Sequence, residues 1–162
     1  MMRRSIFLLL FLALAAPAQA QRQALGIFGT WGAFRAPDRC FAIAEPYQIP
    51  RPGDGRGFAS IGYWPERSTG GQAYFRLSRP KRPGSAVLLR IDERTFQLRG
   101  GGAEAWATDP TADAQIVSAM RTGMEMSLET RSTSGALVRD SYRLRGAATA
   151  IDAAAIGCAR RR

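Results

Sequence analysis

Histidine is absent from this 162-residue chain. Its absence removes the commonest general base and the commonest metal ligand, and with them any Ser-His-Asp or Cys-His nucleophilic arrangement. Cysteine is scarce: Cys40 and Cys158 are the two present, and two thiolates without histidine make no zinc site. Lysine occurs once, at Lys81, against many arginines, a bias that a GC-rich genome produces by itself. Long apolar runs are missing beyond the N-terminus, so nothing after residue 20 is expected to hold the chain in a membrane. Alternating acids at calcium-loop spacing are missing as well. Gly53-Asp54-Gly55-Arg56-Gly57 is glycine-rich, but it lacks the preceding strand, the following helix and the Lys-Ser/Thr ending of a phosphate loop. No βαβ rhythm or internal repeat appears, and no cofactor is expected.

What is present begins with a leader. Arg3 and Arg4 precede an apolar stretch from Ile6 to Ala16, and Ala18-Gln19-Ala20 offers a small-residue cleavage site, the three-part pattern of a secretory signal peptide. The apolar stretch has about eleven residues where a membrane span needs roughly twenty. Residues 1–20 are therefore expected to be removed, leaving residues 21–162 as one domain in the periplasm or beyond. Removing Arg3 and Arg4 from the 23 basic residues leaves 21 against 13 acidic ones, a net charge of +8, which favours polyanionic partners over cationic ones. In an oxidising compartment an even cysteine count favours a disulfide, so Cys40 and Cys158 are expected to be joined.

Alternation dominates the remainder. Residues 21–29 read as a loose lead-in. Thr30 to Arg35 and Arg39 to Glu45 form a hairpin around Ala36-Pro37-Asp38, with Trp31 as a core anchor, and residues 46–56 read as an irregular loop. Phe58 to Trp64, Gln72 to Ser78, Val87 to Ile91, Phe96 to Leu98 and Glu104 to Thr108 follow as short strands. Asp109-Pro110 is a helix start, Ile116, Ala119 and Met120 recur at helical spacing, and Gly123 is placed to end that helix. Next, Met124, Met126, Leu128 and Thr130 share one face of a strand. After the turn Ser132-Thr133-Ser134-Gly135, Val138, Tyr142 and Leu144 share one face of another, and an alanine-rich helix follows Gly146. About eight strands with turn chemistry between them argue for an antiparallel sandwich or barrel with two short helices in the C-terminal third.

Few side chains point to chemistry. Ser78-Arg79-Pro80-Lys81 matches S-x-x-K, yet that chemistry needs the serine at a helix start, which Pro80 in a basic loop opposes. A glycosidase-like pair needs two carboxylates converging across a cleft, which no motif supplies. The basic loop containing Arg79, Lys81 and Arg82 is the candidate patch for an anionic partner. Its nearby aromatics match a single-strand nucleic-acid surface, but for an exported chain no nucleic acid is expected.

Trp31, Cys40-Phe41-Ala42-Ile43, Ala114 to Gly123 and Leu144 to Ile151 together resemble the invasion-associated locus B family, exported proteins of alphaproteobacteria. The likeness runs over most of the chain after residue 20 and is strongest after Asp109. It implies an immunoglobulin-like β-sandwich with helical additions and a role at the host-cell encounter, with no catalytic residues to carry over. Many members carry further cysteines that this chain lacks. The expected function is a non-enzymatic envelope or host-cell interaction module that meets an acidic glycan or glycolipid. A periplasmic small-ligand carrier and a carboxylate-dependent hydrolase are the alternatives.

Overall fold

Period-two alternation becomes ten antiparallel strands in the computed structural model, which describes residues 22–48, 50–67 and 70–159. The expected leader and the arginines at 160–162 lie outside those residues. In chain order the elements are β1 (Gln23–Phe28), β2 (Trp31–Arg35), β3 (Cys40–Ala44), β4 (Phe58–Tyr63), β5 (Gln72–Arg76), β6 (Val87–Ile91), β7 (Arg94–Gly101), β8 (Glu104–Trp106), α1 (Pro110–Thr122), β9 (Glu125–Arg131), β10 (Leu137–Arg143) and α2 (Ala147–Ala159). The strands run β1-β2-β3-β4-β5-β8-β7-β6-β9-β10 through one continuous sheet. The mainly β fold with two helices near the C-terminus is as the alternation implied.

The eight-residue β7 turns this sheet into a sandwich-like fold. Its first half pairs with β6 from Arg94 to Leu98, and its second half, Arg99 to Gly101, pairs with β8. Gly100 sits at the changeover, where a β-carbon would lie 2.9 Å from the Glu104 carbonyl and 3.1 Å from Val87 Cγ2. Only a residue without a side chain lets the strand pass from one layer to the other there.

The two ends of the strand order also meet. Thr30 in the β1–β2 turn donates its amide to the Arg145 carbonyl (3.3 Å) and its hydroxyl to that of Arg143 (3.0 Å). The buried Trp31 indole donates to the same Arg143 carbonyl at 2.9 Å. Gly146 has φ +93°, and a β-carbon on it would fall 1.8 Å from the Phe28 carbonyl oxygen. The corner after β10 therefore abuts the turn after β1 backbone to backbone. The other side of β10 is covered too. Tyr47 donates its amide to Ser141, and the Gln48 side chain accepts from Ser141 and donates to the Arg139 carbonyl. A side-chain amide thus occupies part of the edge where another strand would pair.

One face of the sheet, carrying Trp31, Ala33, Ala42, Ile61, Phe75, Leu89 and Leu128, packs with both helices into one core. The α1 start is capped by Asp109, whose carboxylate accepts from the Ala112 amide at 2.9 Å, with Pro110 next in line. Small residues let α2 lie close on β1 to β4: a β-carbon at Gly157 would meet Leu25 Cδ1 at 2.6 Å. At its last turn Cys158 is bonded to Cys40 of β3, with their Cα atoms 5.7 Å apart. The expected disulfide is present and ties the second hairpin strand to the last helix.

Two expectations need correction, and a third holds for a different reason. Residues 23–28 form a strand rather than a lead-in; a bulge between Ala24 and Gly26 breaks the alternation by which a strand is recognised. Met124 is 78% exposed instead of sharing the core face with Met126 and Leu128. β9 begins at Glu125, and its last core pair with β6 is Met126 with Ile91, so Met124 falls beyond the packed layer. Gly123 does end α1, but with φ −77° in an extended conformation. Glycine is needed there for space, since a β-carbon would sit 2.9 Å from Ile91 Cγ2 and 3.0 Å from the Ala119 carbonyl.

Candidate functional site

The apolar alternation of β10 is interrupted by an acid. Val138, Asp140 and Tyr142 point to the same side, and all three are buried, Asp140 to 3% exposure. A carboxylate at that position must find donors. Ser78, just past β5, supplies both: its amide donates to one oxygen at 2.7 Å and its hydroxyl to the other at 2.5 Å. Burial raises the Asp140 pKa above its ordinary 3.8, the Ser78 hydrogen bonds oppose that, and the charge of Asp54 adds to it. Two residues along, the Tyr142 phenol is also pushed upward, by burial first and then by the charges of Asp140 and Glu45.

Above this clasp the segment after β3 folds back as a loop. Asp54 accepts from the Arg51 amide at 2.6 Å and from Arg79 Nε, and these bonds hold its carboxyl below the usual range, the Arg51 amide contributing most. Arg79 also donates to the Pro52 carbonyl, and the Gly55 amide donates to the Ser78 carbonyl. Between this loop and β10 lies a cleft of about 470 Å³. Arg51, Arg56, Arg79 and Arg139 line it together with Glu45, Asp54 and Asp140, and Pro46, Pro50, Leu137 and Val138 supply apolar wall. Arg56 pairs with Glu45 at 2.9 Å, both well exposed, and Arg139 pairs with Glu129 at 3.1 Å. The exposed Arg56–Glu45 pair exchanges readily with a competing anion, whereas Glu129 is largely buried.

The three residues of the expected basic patch differ in their surroundings. Arg79 is turned into the cleft against Asp54. Lys81 is half-buried, its amide bonded to Gly102 and its backbone bridged to Ser132, while the Arg82 amide bonds to the Arg131 carbonyl. The loop is a cross-link between the β7–β8 turn and the β9–β10 hairpin. Lys81 Nζ lies 3.3 Å from the Arg82 carbonyl, and Ser78 is held by Asp140, so the S-x-x-K pattern makes no nucleophile and base pair. Among the described residues, no three histidine, cysteine, aspartate or glutamate side chains gather as a metal site.

Asp54, Asp140, Arg51 and Arg139 did not stand out in the sequence. For Asp140 a signal existed, because a charged residue between Val138 and Tyr142 violates the pattern of an inward face. Replacing Asp140 with alanine should strip partners from the Ser78 amide and hydroxyl and cost about 1–3 kcal/mol. The raised pKa means that protonation favours the folded state. The stability contributed by Asp140 is therefore full below pH 3.8 and declines as pH rises through its folded value. Urea titrations at pH 3.5 and pH 7 should show the larger penalty for Asp140→Ala at the lower pH. Equal penalties would contradict this placement of the charge.

No family model matches the chain, and no curated protein matches its sequence. Among solved structures it is similar to invasion associated protein B from Bartonella henselae. The two share 14% identity with a TM-score of 0.59, over 82% of this chain and 96% of that one. At this identity the likeness is one of fold, and it is the fold that the sequence resemblance implied.

Proposed function

We propose that this chain is an exported, non-enzymatic interaction module that binds an anionic group of an envelope or host-surface macromolecule, an acidic glycan or glycolipid, in the cleft beside β10. The observation that carries this reading is the convergence of four arginines on a cleft whose acids are already engaged. Asp140 is occupied by Ser78, and Asp54 by Arg51 and Arg79. A carboxylate-dependent hydrolase is the weaker reading, since Asp54 and Asp140 spend their oxygens on structural donors and Glu45 is paired with Arg56. Export is inferred from the leader pattern at residues 1–20, and the disulfide agrees with an oxidising compartment. The fold shared with invasion associated protein B supports the host-surface form of the reading.

The test is binding of the purified, oxidised chain to vesicles containing a phosphorylated glycolipid. Affinity should fall steeply as salt rises. Neutralising Arg51, Arg56 and Arg139 to glutamine together should weaken it at least about tenfold, equivalent to ~1.4 kcal/mol. Arg79 is left in place because removing it would strand Asp54. A control with Arg22, Arg94 and Arg145 neutralised has the same net charge and should bind as the unmodified chain does. Equal loss in the two variants, or no binding at low salt, would remove the cleft from the proposal.

A further inference from the structure

The face of the sheet turned away from the core is aromatic, where an antiparallel sheet facing water ordinarily shows polar side chains. Cross-strand pairing sets one row as Ile27, Gly32, Ile43, Ser60, Tyr74 and Trp106 across β1, β2, β3, β4, β5 and β8. The next row holds Phe34, Phe41, Gly62 and Gln72. Glycines form the floor. A β-carbon on Gly32 would lie 2.7 Å from the Phe34 ring, and one on Gly62 would lie 2.7 Å from the Trp64 indole. The rings therefore lie down over the backbone. Phe34 stacks on Phe41 with centroids 5.7 Å apart, and Phe58 is tilted against Tyr74 at the same distance.

These rings are not part of the core. Phe41 is only 8% exposed, and its ring meets Phe34 and Arg39 on this face. Ile27 at 68% and Trp106 at 42% stand open. Both helices pack on the opposite side, and no strand or helix among the described residues lies over this one. A contiguous apolar face of this kind on a soluble domain marks an interaction surface.

Its chemistry selects the occupant. The Arg39 guanidinium rests 5.6 Å from the Phe41 centroid, and that of Arg67 rests 5.3 Å from Trp64, so cations are fixed at the ring surfaces. Arg76 and Arg99 stand on the same face, opposite Glu104 and Trp106. We propose that this face is a platform for an acidic polysaccharide chain. Sugar rings present flat C–H faces that stack on indole, phenol and phenyl rings while their hydroxyls stay in water, and a shallow open face admits a chain lying across the strands. Carboxylate or sulfate groups on the sugars pair with the guanidinium groups in a two-point geometry. A second copy of this chain fits worse, because it would set arginine against arginine. The platform is a different surface from the cleft and stands without it.

Polygalacturonate, with neutral dextran for comparison, tests the proposal by calorimetry and tryptophan fluorescence on the purified, oxidised chain. Polygalacturonate should bind and dextran should bind more weakly. Tyr74→Ala with Trp106→Ala should weaken polygalacturonate at least tenfold. Arg39→Gln with Arg67→Gln, both at the periphery and outside the core, should weaken it and flatten its salt dependence. The Arg51, Arg56 and Arg139 variant should lose less polygalacturonate affinity than either face variant does, even where it loses the glycolipid vesicle, which separates the two surfaces. The platform is overturned if polygalacturonate does not bind at low salt or if both face variants bind it as the unmodified chain does. It is equally overturned if sedimentation finds a dimer that the face variants dissolve.

Discussion

Cys158→Ser should lower the stability of the fold by about 3–5 kcal/mol, the upper end being the chain-entropy value for a loop of this length. The bond spans 118 residues, so in the unfolded chain it closes most of the described sequence. Urea titration should place the reduced, unmodified chain below the oxidised one, and the variant at or below the reduced chain. Both should show a steeper denaturant dependence than the oxidised chain, because the unfolded state without the cross-link exposes more surface. Cys40 is fully buried and Cys158 nearly so, and the serine hydroxyl put in place of the sulfur adds a desolvation cost of its own. Two alkylatable thiols in air-exposed, unreduced protein would contradict the expected result outright.

Met126→Glu should abolish accumulation of soluble protein, whereas Glu125→Lys next to it should cost less than about 1 kcal/mol. Met126 is the central residue of three, pairing with Ile91 of β6 on one side and Tyr142 of β10 on the other, and it is buried. A carboxylate there has no donor within the apolar layer, and burying a charge without a partner costs several kcal/mol, comparable to the whole margin of a domain. Glu125 points the other way, paired across the strand with Arg143. Lysine at that position brings two like charges together in water, which is a small penalty. The comparison depends on register, because a slip of one residue would exchange the two outcomes. Soluble yield and thermal melting of both variants decide it.

The inward faces were legible because each is written locally. Val87, Leu89 and Ile91, or Ala73, Phe75 and Leu77, alternate without interruption, and Asp109-Pro110 carries a cap in two letters. Where geometry breaks the period, the sequence is silent: the β1 bulge concealed a strand, and the start of β9 was one residue later than the methionine alternation suggests. The cleft was not legible at all. It joins residues 45–57, 78–79 and 136–140, and only the folded sheet brings those segments together. The pairing of Arg79 with Asp54 and the bridge from Lys81 to Ser132 were not legible either, because contacts with distant residues leave no mark on a local pattern. The outer aromatic face had the opposite problem. Its residues were visible as aromatics, but which side of the sheet they occupy follows from cross-strand register.

The contact between the β1–β2 turn and the corner after β10 sets an order of assembly. Trp31 finds its carbonyl partner 112 residues downstream, and Cys40 finds its sulfur 118 residues downstream. A chain that emerges from its N-terminus therefore completes β1, β2 and β3 long before the segment that seals them exists. During that interval the underside of those strands, which α2 later covers, is open to solvent and to other unfinished chains. Closure of such distant ends is slow, because the loop entropy falls due before the contacts that reward it. The last thirteen-residue helix is thus the step that ends the period of aggregation risk, and truncating it would leave a protein arrested in that vulnerable state.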